Sequence, residues 1–147
     1  MACQTPKACS VNAIFLSLSS DNQAGITKQG RWVRWRPPRQ GIKLNTDGSL
    51  QRGEMRGGGV VRNPEGLVIA AFAFAYGGGN VLQAEAQALV EGLEICNQRH
   101  IVLKMVETDS MFLYKALTDK DNNPWNIEYI IQKCKILMGN YIEVLHT

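Results

Sequence analysis

The 147-residue chain predicts an α/β domain built on a five-stranded mixed sheet, and three observations carry that reading. Residues 42–76 alternate apolar runs with glycine- and proline-bearing turns, as an antiparallel meander does. Residues 81–99 carry an apolar stripe at helical spacing. A strand, two further helical patterns and a last strand follow. The order β-β-β-α-β-α-α-β needs both antiparallel and parallel neighbours, with helices packed on the faces of the sheet.

Taken in order, residues 1–30 lack sustained periodicity and are rich in Ser, Gln, Asn and Gly, which reads as a poorly ordered leader. Residues 31–41 form a basic connector holding Trp32, Trp35 and the stiff pair Pro37-Pro38. The domain is expected over 42–147. Ile42 to Asp47 is its first strand, ending at a Gly48-Ser49 turn. Gly57-Gly58-Gly59 leads into Val60-Val61-Arg62, and Asn63-Pro64-Glu65-Gly66 is a tight turn by composition. Leu67 to Tyr76 is almost wholly apolar, as a strand buried on both faces would be. Asn80 can cap the helix that starts at Val81. Ile101 to Asp109 is the next strand, and a short helix spans Ser110 to about Leu117. Pro124 suits the first position of a helix that buries Ile127, Ile130, Ile131, Cys134 and Leu137, and Gly139 can end it. Tyr141 to His146 is the last strand.

Composition narrows the functional classes. No apolar run approaches the ~20 residues of a membrane helix, so no membrane partner is expected. Cys3, Cys9, Cys96 and Cys134 lack C-x-x-C spacing and zinc-distance histidines, which fits reduced thiols in an intracellular protein, nuclear or cytoplasmic. The formal charge of +3 is unevenly placed. Lys28, Arg31, Arg34, Arg36, Arg39 and Lys43 follow one another with no acid between them, leaving 10 basic against 13 acidic residues elsewhere. With two tryptophans inside it, this stretch suits phosphate contacts and base stacking, or else a solvated linker whose tryptophans dock on the domain. No serine-hydrolase elbow, Walker loop or H-E-x-x-H motif occurs. The glycine runs at 57–59 and 77–79 fit a phosphate cradle or plain turns.

The carboxylates are more informative. On the helix over 81–99, Glu85 lines up with Leu89, Leu93 and Cys96 on the apolar stripe, whereas Glu91 and Glu94 point away. A glutamate there needs a cation, a metal or hydrogen bonds to compensate it, unless it reaches solvent at the sheet edge. In the strand over 101–109, Ile101, Leu103 and Met105 share a face that continues to Glu107 and Asp109. Asp47 ends its own strand beside Gly48, which admits a close neighbour. If the two strands are parallel neighbours, Asp47 and Asp109 converge and Glu85 arrives from the helix. Such an oxygen set favours a hard divalent cation.

These residues carry a family resemblance. Trp35-Arg36-Pro37-Pro38, Lys43-Leu44-Asn45-Thr46-Asp47-Gly48-Ser49, Gly57 to Asn63, Ala84 to Leu89 and Val106-Glu107-Thr108-Asp109-Ser110 agree in order and spacing with one family. Over residues 35–146 the chain resembles the ribonuclease H-like domains associated with plant non-LTR retroelement reverse transcriptases. The resemblance implies the ribonuclease H-like fold. It makes Asp47, Glu85 and Asp109 catalytic metal ligands for Mg²⁺, with Mn²⁺ as a substitute. The implied activity is metal-dependent endonucleolytic hydrolysis of the RNA strand in an RNA–DNA hybrid. Nucleic acid is the implied partner, with Gly48, Ser49, Arg34, Arg36, Arg39 and Lys43 as candidate contacts. Family members continue past the last strand with a histidine, an Arg-Glu-x-Asn segment and a helix bearing a fourth aspartate. His146 is placed as that histidine, a further candidate catalytic residue, and the last helix is expected to be absent. Intact Asp47, Glu85 and Asp109 favour a nuclease; the unmatched helix favours a binding module with little or no catalysis.

Overall fold

The computed structural model describes residues 25–26, 32–33, 40–119 and 125–147. Two short strands, β1 (Gly25–Ile26) and β2 (Trp32–Val33), pair antiparallel. β1 falls in the expected leader and β2 in the expected connector. Arg34, Arg36, Arg39, Pro124, Cys3 and Cys9 lie outside the described residues.

The main sheet comprises β3 (Ile42–Gln51), β4 (Glu54–Arg62), β5 (Val68–Gly78), β6 (Leu103–Thr108) and β7 (Glu143–His146). Helix α1 (Val81–Gln98) joins β5 to β6, and α2 (Met111–Thr118) and α3 (Trp125–Met138) join β6 to β7. The spatial order is β5-β4-β3-β6-β7. β3, β4 and β5 form the expected antiparallel meander, and β6 runs parallel to both β3 and β7. The mixed five-stranded sheet is therefore present, with β3 and β6 as parallel neighbours.

Local chemistry explains the boundaries. Asn80 and Gln83 form a reciprocal capping box: each backbone N–H donates to the other's side-chain oxygen, at 3.0 and 2.9 Å. At the other end of α1, His100 takes a left-handed φ of 56°, and the Ile101 N–H donates back to the Cys96 carbonyl at 2.8 Å. Asn63 closes the β4–β5 turn, its side chain accepting from the Leu67 N–H at 2.9 Å. Ser110 caps α2 by accepting from the Leu113 N–H, and Gly139 ends α3 with φ 59°.

Several elements differ from expectation. β3 does not end at Asp47; it runs on through Gly48 and Ser49, and the chain reverses at Arg52-Gly53, where φ is 52° and 78°. Two consecutive positive φ values match the twist of a hairpin, and Asp47 instead stands where the parallel pairing with β6 has stopped. Gly57-Gly58-Gly59 lies inside β4 and is neither turn nor phosphate cradle. A Cβ at Gly57 would sit 2.7 Å from the Ala88 Cβ, and one at Gly59 would sit 2.5 Å from the Phe72 ring. The run thus lets α1 and the Phe72 ring lie close on the sheet. β5 is an edge strand buried on one side only: Ala70 and Phe72 are buried, while Ile69, Ala73 and Ala75 are exposed. Small alanines make the open face cheap, and that is why the run reads as uniformly apolar.

The three helices share one face of the sheet. Leu44, Val61, Ala70, Phe72, Leu103 and Val106 from the strands join Leu89, Leu93, Leu113, Ile127 and Ile131 from the helices in a single core. Each fully buried leucine or isoleucine there contributes about 1.5–3 kcal/mol. In α3, Ile130 and Leu137 are only half-buried, and Met138 takes the core place that neither fills. Cys96 and Cys134 pack as apolar groups, their thiols pushed up to about 12 by burial. No described helix is long and apolar enough to cross a membrane.

Helix α1 is seated on β3 at one point of close contact. A Cβ on Gly48 would fall 2.3 Å from the Glu85 nitrogen and 2.5 Å from the Ala84 carbonyl carbon. These are backbone atoms, so the helix itself must shift. Gly48→Ala is expected to cost roughly 1–3 kcal/mol by overpacking. Gly78→Ala, where a Cβ meets nothing nearer than 3.9 Å, should stay within about 0.5 kcal/mol of wild type. Urea unfolding of both variants checks this; equal midpoints would show that the seat is not tight.

Candidate metal centre

Three elements bring one carboxylate each to the same place. Asp47 comes from β3, Glu85 from the second turn of α1, and Asp109 from the residue after β6. One oxygen from each lies within 4.8 Å of the others. The two aspartates are exposed and Glu85 is buried, with 6% of its surface open.

Alternation places the aspartates. In β3, Leu44, Thr46 and Gly48 point into the core, so Asp47 points to the opposite face. In β6, Leu103, Val106 and Thr108 are the buried positions. The expected face of Ile101, Leu103, Met105, Glu107 and Asp109 is therefore not a single face. The register with β3 shifts between Ile42 and Lys43, where Leu103 and Met105 are successive partners. That irregularity moves Met105, Glu107 and Asp109 to the side opposite the core. Each strand thus carries a buried, core-facing threonine and sets an aspartate next to it. Thr108 also accepts from the Ser110 N–H at 3.1 Å, which holds the turn that carries Asp109.

Glu85 is the constrained member. Burial, then the charges of Asp47 and Asp109, raise its pKa from the ordinary 4.5 to about 7, while the Gly48 N–H pulls it the other way. Its Oε2 is buried without a hydrogen-bond partner, as is the Thr46 hydroxyl. A buried oxygen without a donor, beside two further carboxylates, is what a hard divalent cation would satisfy. The donor set fits Mg²⁺ or Mn²⁺ chemically, with Asp47, Glu85 and Asp109 as the residues to hold it.

The remaining candidates are placed differently. Gly48 is buried under α1 and does not face solvent; Ser49 is exposed on the same side of β3 as Asp47. Lys43 is not a surface cation: it is buried, and its ammonium forms a salt bridge with Glu107. His146 ends β7 opposite Thr108 in the register, with its ring 5.7 Å from that of Tyr114, and it is not among the three clustered residues. Sequence reasoning missed the Lys43–Glu107 pair. It also missed the repeated Thr-Asp at 46–47 and 108–109, the one signal of two matched strand ends.

The raised pKa of Glu85 has a consequence for stability. Between 4.5 and about 7 the folded protein binds more protons than the unfolded chain. Stability without metal should therefore fall as pH rises through this window, with the full penalty present above about 7. Glu85→Gln should flatten that slope and raise the melting temperature at pH 8. Thermal unfolding in a chelator between pH 5 and 8 tests it; an unchanged slope in the variant would assign the pH dependence elsewhere.

Comparison with known proteins gives the arrangement a context. No curated protein matches the chain significantly. Among solved structures the chain is similar to RNase H1 from the halophilic archaeon Halobacterium salinarum NRC-1, with TM-score 0.64 and 21% identity over 72% of this chain and 84% of that one. It is similar to the compost-derived LC11-RNase H1 in complex with an RNA/DNA hybrid, with TM-score 0.64 and 17% identity over 72% of this chain and 84% of that one. It is also similar to the protease-reverse transcriptase of prototype foamy virus, with TM-score 0.62 and 17% identity, covering 76% of this chain and 18% of that one. The fold is ribonuclease H-like. The match at the level of sequence family spans residues 45–147, from the strand that bears Asp47 to the end of β7, and by it the chain belongs to the Reverse transcriptase-like family.

Proposed function

We propose that the chain is a divalent-metal-dependent ribonuclease that cuts the RNA strand of RNA–DNA hybrids. The observation that carries this reading is the convergence of Asp47, Glu85 and Asp109 at one edge of the parallel strand pair in a ribonuclease H-like fold. LC11-RNase H1, of the same fold, is solved on an RNA/DNA hybrid, which supports the substrate class. The finer assignment, to the type associated with plant non-LTR retroelement reverse transcriptases, rests on the runs Lys43–Ser49 and Val106–Ser110.

When bound, Mg²⁺ or Mn²⁺ supplies Lewis-acid activation of water and charge stabilisation at the leaving oxygen. The protein residues divide the rest of the work. Asp47 and Asp109 are open to solvent on the side from which a phosphodiester can approach, and Glu85 closes the buried side. Glu85, whose pKa burial and the two aspartates raise to about 7, would have to give up any proton it holds for a cation to sit there, so loading would release protons near neutral pH. Ser49 contacts the hybrid in this reading, which its exposure on the same strand face as Asp47 supports. His146, exposed at the end of β7 and paired in register with Thr108, is kept in this reading as a group for proton transfer. Arg34, Arg36 and Arg39 supply phosphate contacts, which makes binding salt-dependent. RNA would be told from DNA through its 2′-hydroxyls.

Incubation of the purified protein with a strand-labelled hybrid and Mg²⁺ or Mn²⁺ should cut the RNA strand alone. Asp47→Asn should reduce the rate by at least about 100-fold, beyond the loss typical of residues that only orient metal ligands. Intact RNA with hybrid binding retained would overturn the nuclease and leave a binding module.

A further inference from the structure

Lys43 on β3 and Glu107 on β6 form a salt bridge, with side chains only 6% and 12% exposed. Removing two charges from water costs about as much as their attraction returns, so a buried pair rarely beats apolar contacts of equal size for stability. Its position in the register gives it a different use. The parallel ladder runs Lys43↔Met105, Leu44↔Val106 and Asn45↔Glu107, and goes no further. Asp47 and Asp109 stand two residues past that last rung on their respective strands. Below Lys43 the ladder is irregular; above Glu107 it is open.

Period-two alternation puts Lys43 and Asp47 on one side of β3, and Glu107 and Asp109 on the same side of β6. The salt bridge runs diagonally, from Lys43 to the residue that faces Asn45. A diagonal tie fixes how far one strand is advanced along the other. Backbone bonds fix that offset over only three rungs at this point.

We propose that Lys43 and Glu107 are positioning residues of the metal centre, whose ion pair sets the offset of β3 against β6 and with it the separation of Asp47 and Asp109. The inference rests on the metal reading of the three carboxylates. Net charge predicts a different pattern, and the difference has a sign. By charge alone, removing Lys43 leaves an extra anion near the centre and tightens cation binding, whereas removing Glu107 weakens it. By positioning, both removals weaken it.

Affinity for Mn²⁺, followed through the EPR signal of the free ion, separates the two in the full chain. Lys43→Met and Glu107→Gln should each weaken binding by about 10–100-fold, the range for groups that orient metal ligands. The exchanged pair Lys43→Glu/Glu107→Lys should recover most of that loss. Should a single variant unfold, Lys43→Met/Glu107→Met replaces the ion pair by apolar contact and keeps the fold; its Mn²⁺ affinity should still fall. Tighter binding by Lys43→Met, an exchanged pair that recovers nothing, or wild-type affinity in the double methionine variant would each overturn the positioning role. Absence of Asp47-dependent Mn²⁺ binding in the wild type would instead overturn the metal centre, and this inference with it.

Discussion

Three carboxylate oxygens within 4.8 Å of one another repel, and the surrounding fold has to hold them against that force. Two unit charges about 4 Å apart cost ~1 kcal/mol in water and ~4 kcal/mol near a protein surface, so the triad opposes a net stability of about 5–15 kcal/mol for a whole domain. Close backbone contacts do much of the holding, beside the Lys43–Glu107 tie between the two strands. Gly48 lets the α1 backbone rest directly on β3, which brings Glu85 beside Asp47. Gly57 and Gly59 let the same helix and the Phe72 ring settle on the sheet. The capping box at Asn80 and Gln83 fixes where α1 begins, hence which residue meets Gly48.

The sheet solves a second problem, that of separating core from site. Thr46 and Thr108 are buried on the core side of their strands, and each is followed at once by an aspartate on the other side. Alternation makes the change of environment abrupt. One residue is within the core and the next is in solvent. The register irregularity near Leu103 is what brings β6 into phase with β3, so that both strands make this change at the same edge.

Much of this was legible in the amino-acid order. The Asn63–Gly66 turn, the Asn80 cap and the stripe of Leu89, Leu93 and Cys96 all act locally, and local signals survive in sequence. Glu85 stood out because a charge on an apolar stripe breaks a pattern that is otherwise clean. What escaped depends on partners distant in the chain. The length of β3 is set by pairing with β4, whose glycines look like turn residues until Phe72 and Ala88 are seen over them. β5 reads as doubly buried because alanine on an open face carries no polar mark. The phase of β6 depends on an irregularity that only its neighbour β3 defines. Lys43 reads as the last of a basic run, and only the fold brings Glu107 to it across 64 residues.

Placing one carboxylate in the interior and two at the surface links protonation, cation and fold. Without a cation, a proton on Glu85 relieves both its burial and its repulsion from Asp47 and Asp109, which is why its pKa stands near 7. A bound cation relieves the same repulsion and needs the proton gone. The two therefore compete for one oxygen set, and whichever binds adds to the stability of the folded state by mass action. Three exposed carboxylates would bind a cation too, but without burial there would be less to hold a proton near neutrality and so less competition between proton and cation. Burial of Glu85, with the charges of Asp47 and Asp109 beside it, brings the proton affinity of the centre up to neutral pH, while the two aspartates stay exposed.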